Sequence, residues 1–405
     1  MSKITPFKLL TSREKALEIV MKHVKPIERK EFIPIERAVN RVLAKDLVAN
    51  MDIPPFDRAA MDGYAVRAED TYGASEFEPK ILRLIDVLHA GESTSREIKR
   101  GECIRIATGC PLPPRADAVV MAEFAEEKGE KVLIYRAVHP LENVSPRGED
   151  MKCGEVILKE GEVLTPAKIG VFAALGLRKA LVYQKPRVAI IPTGVEVQDQ
   201  GFELKNGQIY DINSYTLASL LMENGASVTR APIIPDLYEA LKTALYRYLD
   251  HDLIVFSGGS SVGERDMLTN LIEENGRLLF HGVQIKPGKP TLFGVVEGKP
   301  VFGMPGYPTS CLSNAYIFLI PAIRKMARLP PKKLTTVNVK MAKRIVSASG
   351  REQFLTVKII EGKAYPVFKK SGTITSLSKA DGYIILPVNL DVIEEGEEVT
   401  VILFN

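Results

Sequence analysis

Tryptophan is absent from this 405-residue chain, and cysteine and histidine are scarce, at four and five residues. The thiols of Cys103, Cys110, Cys153 and Cys311 form no C-x-x-C pair. Neither a structural zinc site nor a disulfide framework is therefore indicated. The histidines at 23, 89, 139, 251 and 281 share no spacing, and no Ser-His-Asp or Cys-His arrangement can be read. Strong charge of one sign is also missing. Lys and Arg total 54 against 50 Asp and Glu, a net +4, too mild for nucleic acid, whose binding needs a concentrated basic patch. No apolar run approaches the roughly 20 residues that span a bilayer. The first residues lack the apolar core of a signal peptide. A cytoplasmic protein that contacts no membrane is expected.

What is present is an ordinary globular composition, 45% apolar and 26% charged, in a chain long enough for several cores. Thr11 and Glu14 make a capping box before an apolar stripe at Ala16, Leu17, Val20, Met21 and Val24, which predicts a helix. Residues 30–165 read as short β segments broken by Gly and Pro. Thr165-Pro166 starts a second helix that ends near Gly176. From about 186 to 328, apolar strands such as Val188–Ile191 and Leu253–Phe256 alternate with helices, one of them capped by Asp236. Continuous apolar strands between helices predict a doubly wound parallel sheet. Pro330-Pro331 marks a boundary, and strand patterns follow it to the end. The expected architecture is multidomain α/β plus β. An N-terminal region (1–182) holds a helix and two β-rich subdomains and is discontinuous. A central doubly wound α/β domain (183–330) and a small all-β, barrel-like domain (331–405) follow.

Ligands of open α/β sheets bind outside the carboxyl ends of the strands. Three loops fit that position: Pro192-Thr193-Gly194, Ser257-Gly258-Gly259-Ser260-Ser261-Val262-Gly263 and Gly303-Met304-Pro305-Gly306. Consecutive N–H groups in such loops form anion-binding nests, and the Thr and Ser hydroxyls add donors. G-x-G-x-x-G is missing, and Gly288-Lys289-Pro290 lacks the rest of a P-loop, which disfavours NAD enzymes and P-loop NTPases. Lys286-Pro287-Gly288-Lys289-Pro290 presents two cations on a stiff turn, suited to an oxyanion or phosphate. Glu196, Asp211, Asp236 and Asp266 lie near these elements. Carboxylates beside phosphate are awkward unless they hold a divalent cation, so Mg²⁺ is expected. The segments Pro54–Ala65 and Asn143–Asp150 mix Pro, Gly and charge as ligand loops do.

Taken in order, these segments resemble the molybdopterin molybdenumtransferases of the MoeA type. Met61-Asp62-Gly63-Tyr64-Ala65 is similar to the family's signature loop. It is followed by Ala107-Thr108-Gly109, Arg147-Gly148-Glu149-Asp150, Pro192-Thr193-Gly194-Val195-Glu196 and Gly207-Gln208-Ile209-Tyr210-Asp211. The Ser257-Gly258-Gly259 loop through Asp266, the Lys286–Pro290 turn and Met304-Pro305-Gly306-Tyr307-Pro308 complete the set. The resemblance implies insertion of molybdate, or tungstate, into adenylylated molybdopterin with Mg²⁺ and release of AMP. It implies catalytic roles for Asp62, Asp150, Glu196 and Asp266, and metal binding by Glu196, Asp211 and Asp266. Substrate contacts are implied for Thr108, Thr193, Gly194, Asp211, Asp236, Ser257, Gly258, Gly259, Ser260, Lys286, Lys289, Pro305 and Gly306. It also implies a homodimer with active sites between chains. Tyr307 and Val195 depart from the family's usual Asn and Asp. An adenylyltransferase of molybdopterin and a non-catalytic scaffold remain as alternatives.

Overall fold

The computed structural model describes residues 10–258, 267–347, 350–367 and 373–404. Residues cluster into two compact units, one built mainly from 183–405 together with the first helix, the other from 43–182 with 32–39.

The larger unit contains a six-stranded sheet. Its strands are β1 (Arg187–Pro192), β2 (Ser227–Arg230), β3 (Leu253–Ser257), β4 (Gly276–His281), β5 (Leu292–Val296) and β6 (Lys299–Met304). They are ordered β2-β1-β3-β6-β5-β4. The first four in that order pair in parallel, and β5 and β4 add an antiparallel edge. Side chains alternate between two cores. Val188, Ile190, Leu253 and Val255 face helices Arg13–His23, Asn213–Glu223 and Ile320–Met326. Ile191, Ile254 and Phe256 face helices Tyr238–Arg247 and Met267–Asn275. Both faces are covered, so the strands carry no polar alternation. Each fully buried Leu, Ile or Phe contributes roughly 1.5–3 kcal/mol.

The first helix is capped by Ser12, whose Oγ accepts from Lys15 N–H at 3.3 Å, and not by Thr11. Thr165 caps the helix Pro166–Ala174 as its sequence signal requires. Helix Tyr238–Arg247 begins after Leu237 with no side-chain cap. The expected Asp236 cap is absent, and that carboxyl is half-buried beside Thr193 and Glu196 instead. The helical stretch over 308–326 widens into a π turn at Ala315–Leu319. Pro321, which has no N–H to donate back along the helix, lies two residues beyond it.

Downstream, strands Thr336–Met341, Glu352–Ile360, Lys363–Pro366, Gly382–Leu386 and Glu398–Leu403 form a barrel. Pairing of Gln353–Val357 with Gly382–Leu386 closes it. Leu355, Val357, Ile384, Leu386 and Val401 fill its interior. Phe354, Tyr383 and Ile402 point the other way, into the core that the barrel shares with the first helix. One short helix, Thr375–Ser378, interrupts the β pattern.

The smaller unit is β-rich, in two parts. A six-stranded mixed sheet of residues 63–134 carries cores centred on Val120 and Val132 on one side and Ile104 and Val119 on the other. A second core gathers Leu43, Leu158, Leu164, Phe172 and Val182. Among the described residues no helix is long and apolar enough to cross a membrane.

Candidate functional site

The strand order reverses between β1 and β3, so the crevice expected of an open α/β sheet lies at their carboxyl ends. Three backbone bonds lace the loops there. Thr193 N–H donates to Ser257 O (3.0 Å), Gly194 N–H to Ile234 O (3.1 Å) and Gly258 N–H to Met304 O (3.1 Å). Gly258 has φ +106°, and a Cβ there would stand 2.5 Å from Thr193 O. Only glycine permits this approach. Gly306 comes close to Gly258, and its carbonyl accepts from Asn213 Nδ2 at 2.8 Å.

The crevice holds polar atoms that the protein does not satisfy. Thr193 Oγ1, Ser257 Oγ, Asp236 Oδ1 and Asn213 Oδ1 are buried without a hydrogen-bond partner among the described residues. An unsatisfied buried polar group costs about 1–3 kcal/mol, and native proteins leave few of them. Four converging on one sheet edge mark a place where a polar ligand completes the structure. Asp236 is also unusual electrostatically. Burial raises its pKa, the neighbouring Thr193 hydroxyl opposes that rise, and the charge of Glu196 adds to it. Glu196 folds its carboxylate back over Gly194, where a Cβ would stand 2.9 Å from Oε2. Like charges brought near one another favour binding of a cation between them.

Asp211 behaves differently. It is buried, accepts from Ser214 N–H (3.0 Å) and the Ser214 hydroxyl, and lies 3.7 Å from Arg230. Arg230 stacks on the Tyr215 ring at 3.5 Å. Asp211 thus holds the start of helix Asn213–Glu223, whose Asn213 in turn holds Gly306. The assignment of Asp211 to a metal does not fit this arrangement, because its oxygens already serve the protein. Among the described residues no group of three or more His, Cys, Asp or Glu side chains is arranged to hold a metal ion. Gly259, Ser260 and Asp266 lie outside the described residues. Gly303 belongs to β6 and not to a loop. A Cβ there would strike Leu292 and Leu268 at 2.6 and 2.8 Å, so this glycine serves packing.

The Lys286–Pro290 turn is pinned from beneath by Asn314. Its Nδ2 donates to Gly288 O at 2.8 Å and to the Thr291 hydroxyl. Gly288 has φ +107°, and a Cβ would stand 2.3 Å from Asn314 Nδ2. Ile285–Lys286 pairs in parallel with Glu352–Gln353 of the barrel, which places Arg351 beside the turn. Lys286 is exposed. Lys289 has a lowered pKa, through burial first and then the charge of Arg351. Lys289 and Arg351 thus lie near enough to repel, and the turn also carries Lys286. Arg351, Asn213 and Asn314 escaped the sequence reading. Asn314 had one available signal, the only amide side chain in the stretch 308–326.

The smaller unit gathers its own loops. Asp62 Oδ1 accepts from both the N–H and the hydroxyl of Thr108 at 2.6 Å, which lowers its pKa. Arg147 N–H donates to Asp57 (2.7 Å) and its Nε to Asp52 (2.6 Å). Cys153 N–H, chiefly, and Arg147 lower the Asp52 pKa. Gly148 N–H donates to Pro54 O and Asp150 N–H to Ile53 O, both at 2.9 Å, leaving the Asp150 side chain exposed. Segments 52–62, 108–111 and 143–153 thus form one cluster. Val195 and Tyr307, the two departures from the family pattern, are both exposed, at 76% and 65%.

Comparison with known proteins agrees along the whole chain. Residues 11–176 match the MoeA N-terminal region (domain I and II), 189–325 a probable molybdopterin binding domain, and 338–404 the MoeA C-terminal region (domain IV). A putative molybdopterin biosynthesis protein of Methanocaldococcus jannaschii is 39% identical, with 97% of each chain covered. A molybdopterin molybdenumtransferase of Staphylococcus aureus is 31% identical over 92% of this chain and 90% of its own length. The crystal structure of a molybdopterin biosynthesis MoeA protein from Pyrococcus horikoshii superposes with a TM-score of 0.85 at 40% identity, covering 98% of this chain and all of that one. The chain belongs to the MoeA family, and it is a transferase of molybdenum cofactor biosynthesis.

Proposed function

We propose that this chain, as a cytoplasmic homodimer, inserts molybdate or tungstate into adenylylated molybdopterin with Mg²⁺ and releases AMP. The observation that carries this reading is the set of unpartnered buried atoms, Thr193 Oγ1, Ser257 Oγ and Asp236 Oδ1, at the carboxyl ends of β1 and β3. Their hydroxyls and the backbone around Gly194, Gly258, Pro305 and Gly306 suit the phosphates of a nucleotide-linked pterin. Lys286, Lys289 and Arg351 suit the oxyanion, held by charge-assisted hydrogen bonds. Glu196 and Asp236 fit a divalent cation better than Asp211 does, because Asp236 has an unsatisfied oxygen and Glu196 faces it. Mg²⁺ bound there would neutralise phosphate charge as AMP departs. Asp266, outside the described residues, stays a candidate for the catalytic and metal roles that the resemblance implies.

Asp62, Thr108 and Asp150 act on the substrate from the partner chain in this reading. They sit on loops whose backbone is already braced; Asp150 is exposed, and Thr108 holds Asp62 through one carboxylate oxygen. The test is incubation with adenylylated molybdopterin, Mg²⁺ and either oxyanion, scored by AMP release. Release that depends on both Mg²⁺ and oxyanion is expected. AMP transfer from ATP to molybdopterin by the isolated chain would overturn the proposal in favour of an adenylyltransferase. Mixed dimers of Asp62→Ala and Lys289→Ala chains are expected to recover part of the lost turnover; no recovery would place each site within one chain.

A further inference from the structure

A cavity of about 710 Å³ lies in the larger unit, between helix Arg13–His23, helix Ile320–Met326 and the outer face of the barrel. No residue lining it belongs to the strand-end crevice or to the Lys286–Pro290 turn. Its size is that of a site for one small organic molecule. Leu17, Ile320, Tyr316, Tyr383 and Phe404 form its apolar wall. The three rings pack at tilted angles, with the Tyr316 and Tyr383 ring centroids 4.9 and 5.4 Å from that of Phe404.

Charge distinguishes the cavity from a simple packing gap. Five cations line it, Arg13, Arg324, Lys325, Arg328 and Lys332, and no Asp or Glu does. Three of the five meet a carboxylate nearby: Arg13 reaches Glu352, Arg328 reaches Glu28, and Lys332 lies 3.7 Å from Glu223. Arg324 instead donates to Pro330 O (2.7 Å) and Asn224 Oδ1 (3.4 Å), and Lys325 to Met21 O. All three of these acceptors are neutral. Burial lowers the Arg324 pKa, and the charge of Glu223 offsets only part of that. Cations held against apolar surface with neutral partners call for an anion.

We propose that this cavity binds an apolar organic monoanion, an alkyl or aryl carboxylate, with its body on the aromatic wall and its carboxylate at Arg324 and Lys325.

The test is displacement of the anionic dye 1-anilinonaphthalene-8-sulfonate from the full-length protein by decanoate and by decanol. One saturable dye site per chain is expected, with decanoate displacing the dye at a concentration at least about tenfold lower than decanol. Lys325→Gln and Arg324→Gln are each expected to weaken decanoate about tenfold, leaving decanol and AMP release unchanged. Leu17→Trp, which fills the apolar end, weakens both ligands. If Arg324→Gln does not fold, Lys325→Gln and Leu17→Trp carry the test. Equal displacement by decanoate and decanol, unaltered decanoate binding in the Lys325 variant, or no saturable site would overturn the proposal. So would a dye signal per chain that falls as protein concentration rises, which would assign the groove to a second copy.

Discussion

The strand-end crevice of the larger unit and the loop cluster of the smaller one are built on opposite principles. In the crevice, Thr193 Oγ1, Ser257 Oγ and Asp236 Oδ1 are buried and have no hydrogen-bond partner among the described residues. In the loop cluster, Asp62 is exposed and Asp52 half-buried, and both accept hydrogen bonds, from Thr108 in one case and from Arg147 and Cys153 in the other. The first arrangement holds unsatisfied polar groups in place before any ligand arrives, at a cost to stability. The second fixes charged side chains at a surface without that cost. A binding crevice and a presenting rim are therefore distinguishable by where the hydrogen bonds are missing, which residue types alone do not reveal.

Mutations can break this contrast. The largest effect is expected from removing the crevice hydroxyls. Thr193→Val with Ser257→Ala should lower AMP release roughly 100-fold or more. The thermal midpoint should hold or rise, because two unsatisfied groups leave the interior. A midpoint lower by several degrees would show that the hydroxyls are structural.

Next come the oxyanion contacts. Lys289→Ala should weaken molybdate binding roughly 10- to 100-fold, as for loss of a charge-assisted hydrogen bond. Asn314→Leu should weaken it similarly by unseating the turn, while Arg147→Ala in the other unit should not alter it. Calorimetry with molybdate decides between these outcomes.

Backbone constraint gives a smaller and cleaner comparison. Gly258→Ala combines a left-handed φ with overpacking against Thr193 O and should cost about 3 kcal/mol. Gly109 in the loop cluster has φ +84° but open space where a Cβ would go. Gly109→Ala should therefore cost only about 1–2 kcal/mol. Urea titration of both variants tests the pair; equal losses would remove the steric argument.

The smallest effects are in pH dependence, and they carry opposite signs. Asp236 has a raised pKa. Its folded state holds the proton more tightly than the unfolded chain, so its contribution is fully present below the ordinary carboxylate value of about 3.9 and is lost as pH rises through the raised value. Asp62 has a lowered pKa. Its contribution is present above about pH 3.9 and is lost as pH falls through the depressed value. At neutral pH, Asp236→Asn should raise the thermal midpoint slightly and Asp62→Asn should lower it. Both differences should shrink in acid, and shifts of the same sign would contradict the contrast.

Much of the architecture was legible in the residues. Apolar runs such as Val188–Ile191 and Leu253–Phe256 named strands buried on both faces, and Thr165-Pro166 announced its helix. Where local signals failed, a long-range partner had taken the side chain. Asp236 sits where a helix cap belongs, yet Thr193 and Glu196 surround its carboxyl. Asp211 appears in a motif with Gly207 and Tyr210, yet Ser214 and Arg230 occupy its oxygens. Gly303 sits beside a loop but answers to Leu268 and Leu292 across the sheet.

By itself, then, the sequence determined the strand-and-helix pattern, the family and the loops where ligands are expected. Burial period and turn chemistry are written in neighbouring residues, and the ordered motifs are local as well. Tertiary structure alone decided which polar groups converge. It set Asn314 under Gly288, 26 residues away, and Thr108 against Asp62, 46 residues away. It also placed Arg351 beside Lys289 through one parallel strand pairing. Such meetings depend on strand order and barrel closure, which no local periodicity encodes.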